Sequence, residues 1–174
     1  MIAIKKVLVA TDFSPVAGIA LVYGRALART FGAALHVLHV VRRFNVMTAM
    51  GDGLVDASSV ARLQLAIEDA GRRELDACVT DDDRRELHAE TVLVTSSKPA
   101  TAITEYAKDA GVDVVVIGAT GRGAIDRLVM GSVADRVIRQ ASCPVLAVRH
   151  PEREFVVPDA APPEALRRSG SFCE

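Results

Sequence analysis

Five short runs of branched apolar residues, separated by stretches at helical spacing, constrain this 174-residue chain more than any other feature. The runs lie at residues 4–10, 34–41, 88–95, 113–117 and 145–148. In the third, Val92 and Val94 share a face. Val114-Val115-Val116-Ile117 is continuous rather than alternating, the mark of a strand buried on both faces. Ser14 offers an N-cap with Pro15 at the first helical position. Ala20, Leu27 and Phe31 then form an inner face, with Leu21, Gly24 and Ala28 beside it, and Gly32 ends the helix. A second helix begins near Ser58 or Ser59 and carries Val60, Leu63, Ile67 and Ala70. Residues 42–57 read as a loop and Asp81-Asp82-Asp83 as a turn. Pro99 opens a third helix with Ile103, Tyr106 and Ala107 inside, and Val133 to Ile138 continues a fourth. The order βαβαβαβαβ predicts an α/β fold, an open five-stranded parallel sheet flanked by helices in a Rossmann-like three-layer sandwich.

The glycines after the fourth run sharpen this. Gly118-Ala119-Thr120-Gly121 is followed, after nine residues, by Gly131-Ser132 and a helical pattern. Strand, glycine loop and helix N-terminus present backbone N–H groups to an anion such as phosphate. The helix dipole alone contributes about 0.3–1 kcal/mol, so several aligned donors and the Ser132 hydroxyl are needed for a polyphosphate. Two familiar phosphate loops do not fit. A Walker A loop needs Lys and Ser/Thr where Ala124 and Ile125 stand, and a dinucleotide fingerprint needs a third glycine where Asp126 stands.

The pattern that fits is G-x2-G-x9-G-S/T. With Arg122, Arg127, Val133, Val137 and the ending Cys143-Pro144-Val145-Leu146-Ala147-Val148, it resembles the C-terminal signature of the universal stress protein family. Lys6-Val7-Leu8-Val9-Ala10-Thr11-Asp12-Phe13-Ser14 resembles the first strand and turn of that family. The resemblance covers residues 1–150 and implies an adenine-nucleotide α-hydrolase-like fold that binds ATP. Residues 151–174, with four of the seven prolines, read as a flexible tail.

Ligands of open α/β sheets bind beyond the carboxyl ends of strands where the strand order reverses. The ends expected to meet there are Ala10-Thr11-Asp12, Val40-Val41 and Gly118, which requires strands one and four to be neighbours. The resemblance implies that Asp12 accepts hydrogen bonds from ribose or adenine and that Val41 offers backbone groups to the adenine edge. Asp12 also suits a turn or cap, and Val41 suits the core. Gly118 and Gly121 would let the loop wrap the phosphates, with donors from Gly131, Ser132 and Val133; the competing reading is an ordinary turn with a Ser cap. Arg122 and Arg127 either neutralise phosphate or are solvated. Asp12 and Ser132 are candidates to share Mg²⁺ with ATP. Two departures from the family pattern stand out: Gly123-Ala124 occupies the place of Thr-Gly, and Ser97 stands two residues before Pro99 where relatives have Gly.

Lys plus Arg is 21 and Asp plus Glu 22, a net charge of −1 that gives no bulk attraction to nucleic acid or anionic membrane. The chain has no Trp and only two Tyr to stack single-stranded bases. Cys78, Cys143 and Cys173 form no metal or disulfide pattern, and Cys143 reads as a small, partly buried residue. His36 and His39, three apart in a strand, point to opposite faces and form no metal pair. No segment reads as a signal peptide or a membrane span, so a cytoplasmic location is the expectation.

The expected function is an ATP-binding regulatory or stress-response protein with no catalytic residues. No motif places a second carboxylate for phosphoryl transfer, although slow hydrolysis is compatible. The resemblance also implies a homodimer paired through the last strand, bounded by Pro144 and Arg149. The alternatives are a dimeric interaction protein on the same fold that binds no nucleotide, and an α-hydrolase-type enzyme. The latter's S-G-G-x-D-S-type loop is absent from the first turn.

Overall fold

The computed structural model describes residues 2–43, 56–120 and 130–149. Five strands, β1 (Lys6–Thr11), β2 (Ala34–Arg42), β3 (Glu90–Ser96), β4 (Val114–Gly118) and β5 (Val145–Val148), form one sheet in the order β3-β2-β1-β4-β5. Every pairing is parallel. Strands one and four are neighbours, with Val7 opposite Val114 and Ala10 opposite Ile117. At the other end of β1, Asp113 Oδ2 accepts from the Lys5 and Lys6 amides at 2.7 and 2.9 Å.

Five helices lie among the described residues: α1 (Pro15–Phe31), α2 (Ala57–Cys78), α3 (Asp81–Glu86), α4 (Pro99–Asp109) and α5 (Ser132–Gln140). Alternation along the strands divides the core between two faces of the sheet. Val7, Val9, Leu35 and Val37 meet Ala20, Leu21, Tyr23 and Leu75 of α1 and α2. Leu8, Ala10, Leu38 and Val115 meet Ile103 and Ala107 of α4 and Val137 of α5. Val92 and Val94 join this second cluster, the shared face read from their spacing.

Local chemistry sets the ends of α1. Ser14 Oγ accepts from Ala17 N at 3.2 Å with Pro15 beside it, and Gly32 closes the helix at φ 62°. Between these caps α1 lies so close to β1 that a Cβ at Gly24 would overlap the Val9 Cγ2 methyl.

The structure corrects several expectations. The acidic run at 81–83 is not a turn but the first turn of α3. Thr80 Oγ1 accepts from Asp83 N, and Asp83 Oδ2 accepts from Thr80 N, a reciprocal cap with three carboxylates at the favourable end of the dipole. Arg42 belongs to β2 and Ala57 to α2, so both ends of the expected 42–57 loop are regular; residues 44–55 lie outside the described residues. Phe31, on the last turn of α1, is exposed rather than inward. Leu63 is also exposed. Glu68 of α2 is already level with Thr95, next to the last residue of β3, at 2.8 Å.

Candidate functional site

The crevice at the carboxyl ends of β1 and β4 is built first by the turn after β1. Thr11 Oγ1 accepts from Phe13 N and Asp12 Oδ1 accepts from Ser14 N, each at 3.0 Å. These bonds wind the chain so tightly that Phe13 takes φ 61°. A left-handed conformation costs a non-glycine residue about 1–2 kcal/mol, so the turn needs outside support. β2 supplies it. His39, the register partner of Thr11, places Nδ1 2.8 Å from the Thr11 carbonyl, and its ring lies 4.3 Å from that of Phe13.

β2 continues for three residues, Val40, Val41 and Arg42, past the last register pair with β1. Its β1-facing edge is therefore free of β1 there and borders the crevice. Val41 is buried and pairs with Thr95 of β3, while Val40 packs against the second core cluster.

The other wall comes from β4 and α5. A Cβ on Gly118 would sit 3.2 Å from Val16 Cγ1 and 3.3 Å from Ala17 N, so its small size lets β4 end against the start of α1. Ala119 N donates to Val148 O at 2.6 Å, and its carbonyl accepts from Gly131 N at 2.7 Å. That second bond holds the N-terminus of α5 at the end of β4. Gly131 is the N-cap of α5 at φ −63° and ψ 141° and has no side chain to cap with. Ser132 is the first helical residue, not the cap, which removes the ordinary Ser-cap reading. The first-turn amides of α5 are thus not capped by a side chain at the N-cap position.

The family model for the universal stress protein family matches residues 3–149. The chain belongs to this family. A universal stress protein of Methanocaldococcus jannaschii is 30% identical over 152 residues, 86% of this chain and 85% of that one. Among solved structures, the universal stress protein UspA of Lactobacillus plantarum has a TM-score of 0.68 at 24% identity, over 86% of this chain and all of that one. A universal stress protein of Archaeoglobus fulgidus, solved in complex with dAMP, has a TM-score of 0.55 at 24% identity over 86% of this chain and 100% of that one. At such identities these two likenesses establish the shared fold.

In this universal stress protein, nine of the eleven residues expected at the site are described. Ala10 and Thr11 end β1 and Asp12 follows it, Val40 and Val41 lie toward the end of β2, Gly118 ends β4, Gly131 is the N-cap of α5, and Ser132 and Val133 open that helix. All stand at the carboxyl edge of the sheet. Gly121 and Arg122, with Arg127, lie outside the described residues. His39 was not among the expected site residues, although the pairing of β1 with β2 sets it beside the Asp12 turn. Its only sequence signal was its place two residues before Val41.

His36 is on the opposite face, as its spacing requires, with Nδ1 2.6 Å from the Tyr106 hydroxyl. Burial pushes its pKa down, against the pull of Glu90 and with the help of Lys6. Among the described residues no group of three or more His, Cys, Asp or Glu is arranged to hold a metal ion. Burial raises the pKa of both Cys78 and Cys143, which makes them poor nucleophiles. No helix among the described residues is long and apolar enough to cross a membrane.

Proposed function

We propose that the crevice between β1 and β4 binds ATP and that occupancy regulates this universal stress protein in the cytoplasm. The observation that carries the reading is the Gly131 N to Ala119 O bond, which holds the uncapped start of α5 at the end of β4, opposite the Asp12 turn. The dAMP complex of a protein sharing the fold supports an adenine nucleotide as the ligand class.

The residues fit such a ligand. Gly131 puts no side chain at the N-cap of α5, and Ser132 and Val133 offer first-turn amides with the favourable end of the dipole, while Gly118 lets β4 end against the start of α1. In this reading Asp12, whose Oδ1 accepts from Ser14 N, would take the ribose or adenine, and the edge of β2 at Val40 and Val41 the base. Gly121 and Arg122 complete the loop in this reading. Mg²⁺ would arrive with the phosphates and take Asp12 and Ser132 as its protein neighbours. No catalytic residue is assigned, and turnover is expected to be slow. Residues 1–150 form the binding domain in this proposal, residues 151–174 are appended to it, and two copies pair through β5.

Small molecules released from the freshly purified, denatured protein, read by mass spectrometry, test this reading with Gly131→Ala alongside. Alanine adopts the φ of −63° at Gly131 without strain, so the variant should fold. Nucleotide in the parent and at least about ten-fold weaker ATP binding in the variant are expected, because a methyl intrudes where phosphate approaches. Failure to bind at millimolar ATP, an affinity weaker than about −4 kcal/mol, would sink the proposal.

A further inference from the structure

We propose that His39 is a positioning residue for the nucleotide site: it clamps the turn that carries Asp12 and so sets the affinity for ATP. The inference rests on the reading given under Proposed function and goes beyond it, since His39 itself touches no proposed ligand group.

Two contacts define the clamp. The Thr11 carbonyl can only accept, so the Nδ1 atom of His39 at 2.8 Å must carry the hydrogen. This fixes the tautomer as well as the ring orientation. The ring then lies 4.3 Å from Phe13, tilted by 39°. Thr11 and Phe13 flank Asp12, so His39 holds both neighbours of the residue whose carboxylate the site uses. Phe13 is the residue at φ 61°, a conformation that the local Thr11 and Asp12 side-chain bonds favour but that a free chain would seldom keep.

The space for this clamp is provided from below. A Cβ on Gly71 of α2 would lie 3.3 Å from His39 Cδ2, 3.2 Å from Val41 Cγ2 and 3.2 Å from Leu93 Cδ1. The bare backbone at Gly71 therefore lets α2 press close to the imidazole, which is confined between α2 and the turn.

His39→Phe keeps an aromatic ring of similar size and removes the donor. His39→Asn removes the ring and keeps a donor able to reach the same carbonyl. For each full-length variant the ATP dissociation constant is measured by equilibrium dialysis, with amide hydrogen exchange at Phe13 and Ser14. In the parent, the imidazole ¹⁵N shifts should report the Nδ1–H tautomer. His39→Phe should raise the dissociation constant about ten-fold, the scale of one lost hydrogen bond, and speed exchange at Phe13 and Ser14 selectively. His39→Asn should return the affinity to within about three-fold of the parent.

Unchanged ATP affinity in His39→Phe overturns the proposal while leaving the nucleotide site intact, and so does an equal loss in both variants. A parent that binds no ATP defeats the site reading instead and with it any role in affinity. Exchange at Ser14 then decides on its own whether His39 holds the turn.

Discussion

At the scale of single residues, Asp83 is the one carboxylate buried among the described residues. It is 1% exposed and accepts from Arg25 Nε at 3.0 Å and Arg25 Nη2 at 2.7 Å, while Thr80 N donates to it at 3.0 Å. Arg25 Nη2 also donates to the Cys78 carbonyl at 2.6 Å, joining α1 to the end of α2 and the start of α3. Burial acts to raise the Asp83 pKa, but the Arg25 bonds and the Thr80 amide outweigh it and hold the carboxyl below its ordinary value. A depressed folded pKa means stability that is fully present above the unfolded value of about 3.9 and is lost as pH falls through the folded value. Asp83→Asn strands the Arg25 charge and should cost about 3–5 kcal/mol in urea unfolding at pH 7. Below about pH 4 the gap between parent and variant should narrow. A variant as stable as the parent at neutral pH would show that the pair is not a structural anchor. The sequence displayed the acidic run but not this function, because Arg25 lies 58 residues from Asp83 and local pattern carries no trace of it.

At the scale of elements, the closest packing is α1 on β1. Gly24 leaves room for Val9, which is fully buried in the central strand, whereas Gly18 on the same helix has nothing within 4 Å of its would-be Cβ. The two glycines should therefore respond in opposite directions to alanine. Gly18→Ala gains about 0.5–1 kcal/mol from helix propensity. Gly24→Ala forces overlap with Val9 and should lose about 1–3 kcal/mol. Thermal unfolding of the two variants checks this, and a stabilised Gly24→Ala would refute the close approach. The ends of α1 were legible in advance because Ser14, Pro15 and Gly32 act on their own backbone. The exposure of Leu63 was not, since periodicity identifies a face of α2 but not which of its residues another element covers.

At the scale of the molecule, the strand order leaves β3 and β5 as edges of the sheet. β5 is only four residues long, and Val145, Leu146 and Ala147 along it are half-buried. An unpaired edge of this composition is prone to pair with another chain, which is the physical motive for the proposed homodimer. Light scattering should give a dimer for the full chain, and Ala147→Arg, which brings like charges together across the two-fold axis, should shift it to monomer. A parent that is monomeric at micromolar concentration would exclude pairing through β5 as a stable state. The parallel sheet was readable because runs buried on both faces admit few arrangements, whereas the meeting of β1 with β4 was a condition of the expected crevice that the strand order meets. The turn at Phe13 was not, because a left-handed phenylalanine is sustained by a histidine on another strand.

The placement of β1 also bears on how the protein is made. β1 is synthesised first, yet one of its two partners, β4, begins at Val114. A chain emerging from the ribosome can pair β1 with β2, and β2 with β3, before β4 exists. Throughout that interval the free side of β1 presents Val7, Leu8, Val9 and Ala10 as an apolar, unpaired border. The strand destined for the middle of the sheet is therefore an edge until β4 is made, and the nascent chain is exposed to wrong partners until the segment that completes it arrives.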